Sequence, residues 1–256
     1  MKNITTILFI ACIAIVICSC VQKPHRTMLV PRKSDASSKQ IHFAGYTWLV
    51  SNANQPVAPG PNFWNNQNAF VDQEGKLHLR LTKNEATGLW SAAEIISQQM
   101  FGTGTYEFFV EGHIDQLDKN VVFGIFQYSG VDMHDEIDIE YSKWGDNGGT
   151  NLTYSVWPKE GIKAGKWSSE NTIRLEGTHT TQRMIRSDSE IQFLSLHGFR
   201  SDDKFAYHIA RCKRKRIITN KPMPLYLNLW LFRGKPPSNA REVEIIIHKF
   251  SFTPTS

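Results

Sequence analysis

The chain has 256 residues, of which 41% are hydrophobic, 21% charged and 11% aromatic. That composition excludes disordered, collagen-like and fibrous chains, and the length is ample for a full hydrophobic core. The net charge of +5 lies mostly in residues 21–40, because residues 41–256 hold 23 basic and 23 acidic residues. A neutral body argues against nucleic acid as the partner.

The N-terminus opens with Lys2 and the unbroken apolar run Ile7 to Ile17. A spanning helix takes about 20 apolar residues, so this shorter run suits an export signal. Ile17-Cys18-Ser19-Cys20 resembles the bacterial lipoprotein processing site. By that resemblance residues 1–19 are a signal peptide and Cys20 is the lipidated first residue of the mature chain. The protein is then expected to be lipid-anchored in the bacterial cell envelope. An ordinary cleaved signal and an uncleaved anchor are the alternative readings. Residues 20–40 contain Pro24, Pro31 and several basic residues without periodicity, which reads as a flexible basic tether. Cys12 and Cys18 leave with the signal and Cys20 carries lipid, so Cys212 remains alone and no intramolecular disulfide is expected. It is expected to be inert and partly buried.

Residues 41–256 read as one all-β domain, with short alternating runs between turn signals. Leu77, Leu79 and Leu81 alternate with His78 and Arg80. Gly102-Thr103-Gly104 precedes the β-rich run Tyr106 to Val110, and Asn120 to Tyr128 is another such run. The basic cluster Arg211, Lys213, Arg214, Lys215 and Arg216 reads as a solvated strand or loop face. In Leu225 to Phe232 the leucines 225, 227, 229 and 231 fall on one face, which is core. Tyr226, Asn228, Trp230 and Phe232 fall on the other. That second face suits stacking and hydrogen bonding of sugars, or else packing beneath another layer. Glu242 to Phe252 closes the domain as a last strand. Antiparallel signals over this length suit a large sandwich or barrel, and a monomer is expected.

The centre of the sequence is Asp135-Glu136-Ile137-Asp138-Ile139-Glu140-Tyr141. As a strand it sends Ile137, Ile139 and Tyr141 into the core and lines Glu136, Asp138 and Glu140 along the other face. Three carboxylates in a row repel one another, and crowding raises at least one pKa. Glycoside hydrolysis uses such a pair, one acid protonated beside one ionised. Residues i and i+4 on a strand lie about 13 Å apart at Cα, whereas a retaining pair needs carboxyl groups about 5–5.5 Å apart, so the sheet must curve. Three other readings stay open. The row is a wet acidic face, or it binds a metal together with Asp132 and His134, or it is an inactive remnant on a lectin-like domain. Neither a H-E-x-x-H nor an EF-hand pattern is present, and no metal or cofactor is expected.

Glu136-Ile-Asp138-Ile-Glu140 resembles the signature of glycoside hydrolase family 16, the laminarinase, lichenase and xyloglucan-modifying group. The flanks Phe101-Gly-Thr-Gly-Thr-Tyr106, Asn120 to Tyr128 and Trp144-Gly145 resemble bacterial members. The resemblance implies a β-jelly-roll of two antiparallel sheets with a concave substrate cleft. It implies retaining endo-cleavage of a β-linked polysaccharide of the β-glucan or galactan class. Carried onto matching positions, Glu136 is the nucleophile, Glu140 the general acid/base and Asp138 the residue tuning them. The family's usual Trp-rich strand before the motif is here Val122 to Tyr128, without Trp. Phe126 or Tyr128 is expected to take the stacking role. Trp230, Asn228, Trp157 and Phe126 are the expected substrate contacts. The alternative function is a carbohydrate-binding surface lipoprotein without turnover.

Overall fold

The computed structural model describes residues 39–255. The expected signal peptide, the lipidation site Cys20 and the tether through residue 38 lie outside the described residues. The strands in chain order are β1 (Gln40–Phe43), β2 (Tyr46–Val50), β3 (Phe63–Trp64), β4 (Ala69–Val71), β5 (Leu77–Lys83), β6 (Trp90–Phe101), β7 (Gly104–Glu111) and β8 (Val121–Tyr128). They continue as β9 (Glu136–Ser142), β10 (Leu152–Val156), β11 (Trp167–Asn171), β12 (His179–Arg186), β13 (Ile191–His197), β14 (Ala206–Cys212), β15 (Met223–Leu231) and β16 (Val243–Pro254). Lys39 bonds the carbonyls of Asn66 and Ala69 at 2.7 and 2.9 Å, and β1 begins at Gln40.

Two antiparallel layers make up the β-jelly-roll. One runs β11-β10-β9-β8-β15-β6, with β2 and β1 beyond β6. The other runs β5-β16-β7-β12-β13-β14. A short pairing of β5 with β6, Thr82 with Ser91 and Lys83 with Trp90, joins the layers along one edge. At the opposite edge side chains make the link. His208 on β14 meets Asn171 and Ser169 on β11 at 3.1 and 3.4 Å.

The core between the layers follows the two-residue strand period. Leu77, Leu79 and Leu81 are fully buried, as are Tyr106, Phe108 and Val110. From the other layer Ile137, Ile139 and Tyr141 face them, with Leu225, Leu227, Leu229 and Leu231. Gly104, the first residue of β7, has no room for a side chain, since a Cβ there would lie 2.5 Å from the carbonyl oxygen of Thr253. Arg186 is buried at one end of the core, where it bonds Gln127 Oε1 at 2.9 Å and the carbonyls of Thr219 and Lys221 at 3.0 and 2.7 Å. Those acceptors replace the water that its guanidinium loses, which is how a buried cation is tolerated. Cys212 is a free, buried cysteine, and burial raises its thiol pKa. Arg211 and Lys213 are exposed and face Glu190 at 3.6 and 3.9 Å.

Phe232 departs from the sequence expectation. β15 ends at Leu231, and Phe232 opens a 3-10 turn, Phe232–Gly234. Its ring packs edge-on against Trp144 at 5.5 Å and does not extend the face of Tyr226, Asn228 and Trp230.

Candidate active site

Strand register builds the site in rows across the first layer. Asn228 on β15 pairs with Glu94 on β6 and Gly124 on β8, and Gly124 pairs with Glu140 on β9. In the next row Tyr226 pairs with Phe126, and Phe126 with Asp138. In the third Tyr128 pairs with Glu136. Side chains in matching register share a face, so every one of these residues points to the same side. All of them but Gly124 line one cleft of about 240 Å³ together with Trp64 and Trp230. Glu136 and Asp138 are only 5% and 3% exposed, and Glu140 is half-buried. The acidic row is therefore a cleft floor and not a wet sheet face.

Each wall has a physical role. Phe126 stacks on Tyr226 with centroids 4.9 Å apart, and Tyr128 meets Tyr226 edge-on at 6.1 Å. All three rings line the cleft. Trp230 borders the cleft and is also packed edge-on by Trp144 at 6.4 Å. The Tyr226 hydroxyl is held well above the usual tyrosine range by burial, then by the charges of Glu94 and Glu136. It stays protonated and able to donate a hydrogen bond into the cleft.

Trp157 lies just past β10, outside the residues that line this cleft. Its indole Nε1–H donates to Asp138 Oδ2 at 3.1 Å, and its backbone N–H donates to the Glu136 carbonyl at 2.9 Å. Lys166 Nζ lies 5.0 Å from its ring centroid. Its visible contact is thus with the middle carboxylate.

The alternation does not extend upstream of Glu136 as the sequence suggested. Met133 and Asp135 are left-handed, with φ of 65° and 47°, so the chain turns before β9 begins. Asp135 points away from the cleft and accepts from the Glu160 backbone N–H at 3.3 Å. His134 Nδ1 donates to the Asp132 carbonyl at 3.0 Å. It lines the groove beside Trp157 and does not join the acidic row. Asp132 enters the cleft through the turn, where it accepts from the Tyr128 hydroxyl at 2.7 Å.

Glu94 and Ser51 are among the cleft residues that escaped the sequence reading. Glu94 is buried and accepts from the Ser51 hydroxyl at 2.7 Å and from Asn228 Nδ2 at 3.3 Å. The available signal was a lone acid amid the apolar residues of β6. Gly124 makes room for this row, since a Cβ on it would stand 2.6 Å from Asn228 Oδ1.

No protein-family model and no curated protein sequence matches the chain. Solved structures do match its fold. A Bacillus licheniformis β-glucanase superposes with a TM-score of 0.62 at 17% identity, covering 84% of this chain and 95% of that one. A Bacteroides ovatus GH16 protein of mixed-linkage glucan, in complex with a G4G4G3G product, gives 0.62 at 10% identity over 80% and 94%. A Mycobacterium tuberculosis protein described as an immunostimulatory antigen and pseudo β-1,3-glucanase gives 0.61 at 18% identity over 82% and 91%. At these identities the likeness establishes the shared β-jelly-roll.

Proposed function

We propose that this protein is a retaining endo-glycoside hydrolase of the family 16 type, cleaving a β-linked polysaccharide of the β-glucan or galactan class. The observation that carries this reading is the row Glu136, Asp138 and Glu140 along the floor of one aromatic-walled cleft. The β-glucanase fold of its structural neighbours supports the same reading.

The polysaccharide lies across the concave layer, over Phe126, Tyr226 and Trp230. The Glu136 carboxylate attacks the anomeric carbon while Glu140 protonates the departing glycosidic oxygen. The glycosyl ester formed on Glu136 is then hydrolysed by a water whose proton Glu140 takes. If a sugar hydroxyl replaces that water, the same site acts as a transglycosylase. Asp138 lies between the two glutamates and is oriented by the Trp157 N–H. Asn228, tied to Glu94, and the Tyr226 hydroxyl supply polar contacts for sugar hydroxyls.

A second reading is carbohydrate binding without turnover. It draws on the structural neighbour described as a pseudo β-1,3-glucanase. Incubation with a panel of β-glucans, xyloglucan and galactans separates the two. New reducing ends on one of them, absent in Glu136→Ala, support the hydrolase, whereas binding without product supports the second reading. The cell-envelope location rests on Cys20. Cys20→Ala should abolish labelling by a fatty-acid analogue in a bacterial host, and unchanged labelling overturns the anchor.

A further inference from the structure

The outer face of the second layer carries a cluster that the cleft does not use. Glu111 on β7, His179 on β12 and His248 on β16 stand on three adjacent strands. His179 pairs directly with Glu111 in the β12–β7 ladder. The β16–β7 register shifts between Ile247 and Lys249, which leaves His248 as the extra residue of a bulge. A bulge re-aims a side chain, and here His248 Nε2 comes 2.6 Å from Glu111 Oε2. His179 Nε2 lies 3.7 Å from the same oxygen.

We propose that Glu111, His179 and His248 form a binding site for a divalent transition-metal ion, with zinc the best chemical fit. One ligand atom from each residue falls within 4.8 Å of the other two. Zinc held by two imidazole nitrogens and a carboxylate oxygen at about 2.0–2.2 Å sets its ligand atoms roughly 3.4 Å apart in a tetrahedron. The observed separations bracket that value, so small side-chain rotations suffice. Two nitrogens and one oxygen suit zinc and its neighbours, whereas calcium and magnesium prefer all-oxygen shells. His179 is half exposed, which leaves room for a water as fourth ligand.

The imidazoles are also held in place. The Phe199 ring stacks on Phe109 at 5.0 Å and touches both histidines, with centroids 4.6 Å from His179 and 4.7 Å from His248. His78 on the same layer shows the contrast. It is bonded by Asp72 at Nε2 and by Glu244 at Nδ1, at 3.1 and 3.0 Å. Carboxylates at opposite ring nitrogens cannot converge with that ring on one ion, so His78 reads as a hydrogen-bonded strut. An ion at the Glu111 cluster would instead clamp β16, β7 and β12 together, on the layer opposite the cleft.

The test is calorimetric titration of Zn²⁺ into the metal-free full-length protein. One equivalent should bind, and either His179→Ala or His248→Ala should weaken it about a hundredfold. The double variant should lose that equivalent. Saturating zinc should raise the unfolding midpoint of the wild type by several degrees and leave the double variant unmoved. Zinc binding that persists in the double variant, or a wild type that binds none, overturns the site. His179→Ala alters a half-exposed side chain, so its retained circular dichroism separates lost binding from lost folding.

Discussion

β7 and β9 both send apolar side chains inward at every second position and place acids on the opposite face. In β7 Tyr106, Phe108 and Val110 are buried, and Glu107 and Glu111 face outward. Glu107 accepts from Arg183 Nε and Nη2 at 3.1 and 2.8 Å, and Arg183 Nη1 reaches Asp203 at 2.7 Å. The β7 acids therefore sit among basic side chains on an outer surface. The β9 acids sit instead on the floor of a cleft walled by Phe126, Tyr226 and Trp230. The acidic–apolar pattern is common to a structural strand and a candidate catalytic one. What differs is the neighbour across the sheet, and that is decided by register.

The strongest way to break this comparison is to neutralise acids on both strands. Glu136→Ala and Glu140→Ala should each lower the rate on unactivated polysaccharide on the order of a thousandfold or more. Their products with azide and an activated aryl glycoside should differ. On the proposed roles, Glu140→Ala should still form the glycosyl-enzyme and give a β-azide with retained configuration. Glu136→Ala, without the proposed nucleophile, should give the inverted α-azide. The opposite pair of products would exchange the roles. Glu107→Ala should leave the rate within about twofold, and a large loss there would show that the outer face is coupled to the cleft.

A second contrast concerns what positions each acid. Trp157→Phe removes the N–H that meets Asp138. A hydrogen bond contributes about 0.5–1.5 kcal/mol, so kcat should fall roughly twofold to tenfold, with a displaced pH–rate profile. An unchanged pH profile would assign Trp157 to packing alone. For the β7 acid Glu107 the corresponding change is Arg183→Met on β12, which strips Glu107 and Asp203 of their partner. It should cost about 3 kcal/mol in urea unfolding and leave the rate per folded molecule unchanged. Gly124→Ala should fall between the two kinds. It displaces the Asn228 carboxamide, raises KM by about tenfold and barely moves stability, as steady-state kinetics and a thermal melt can show.

The strand period made much of this legible. The inward leucines of β15 and the acids of β9 both follow from alternation within one segment. Glu94 was not legible, because its place beside Asn228 depends on pairing between strands more than 100 positions apart. The turn before β9 hid in the same way. Nothing in Asp132 to Asp135 announces that Met133 and Asp135 are left-handed, although aspartate tolerates that conformation better than most residues. Phe232 looked like one more step of an alternating run, and only the structure shows that the run stops at Leu231. The cluster of Glu111, His179 and His248 has no local spacing at all, since three separate strands bring it together.

The comparison between the layers extends to how their edges meet, and pH sharpens it. One edge is closed by the backbone pairing of β5 with β6, which does not titrate. The other depends on His208, stacked on Tyr154 at 5.2 Å and bonded to Asn171 and Ser169. Asn171 Nδ2 can only donate, so Nδ1 of His208 accepts and Nε2–H donates to the Ser169 hydroxyl. Protonation places a hydrogen on Nδ1, facing that amide N–H, and breaks the link. Burial lowers the His208 pKa below its ordinary value. The unfolded chain, with an imidazole pKa of about 6.5, then binds more protons than the folded one in the interval between the two values. The contribution is therefore complete above pH ~6.5 and is lost as pH falls through the folded pKa. His208→Gln keeps polar contact and removes the titration. Urea midpoints at pH 8 and pH 5.5 should separate less in this variant than in the wild type. An equal separation in both proteins would show that the edge at β11 and β14 does not sense acid.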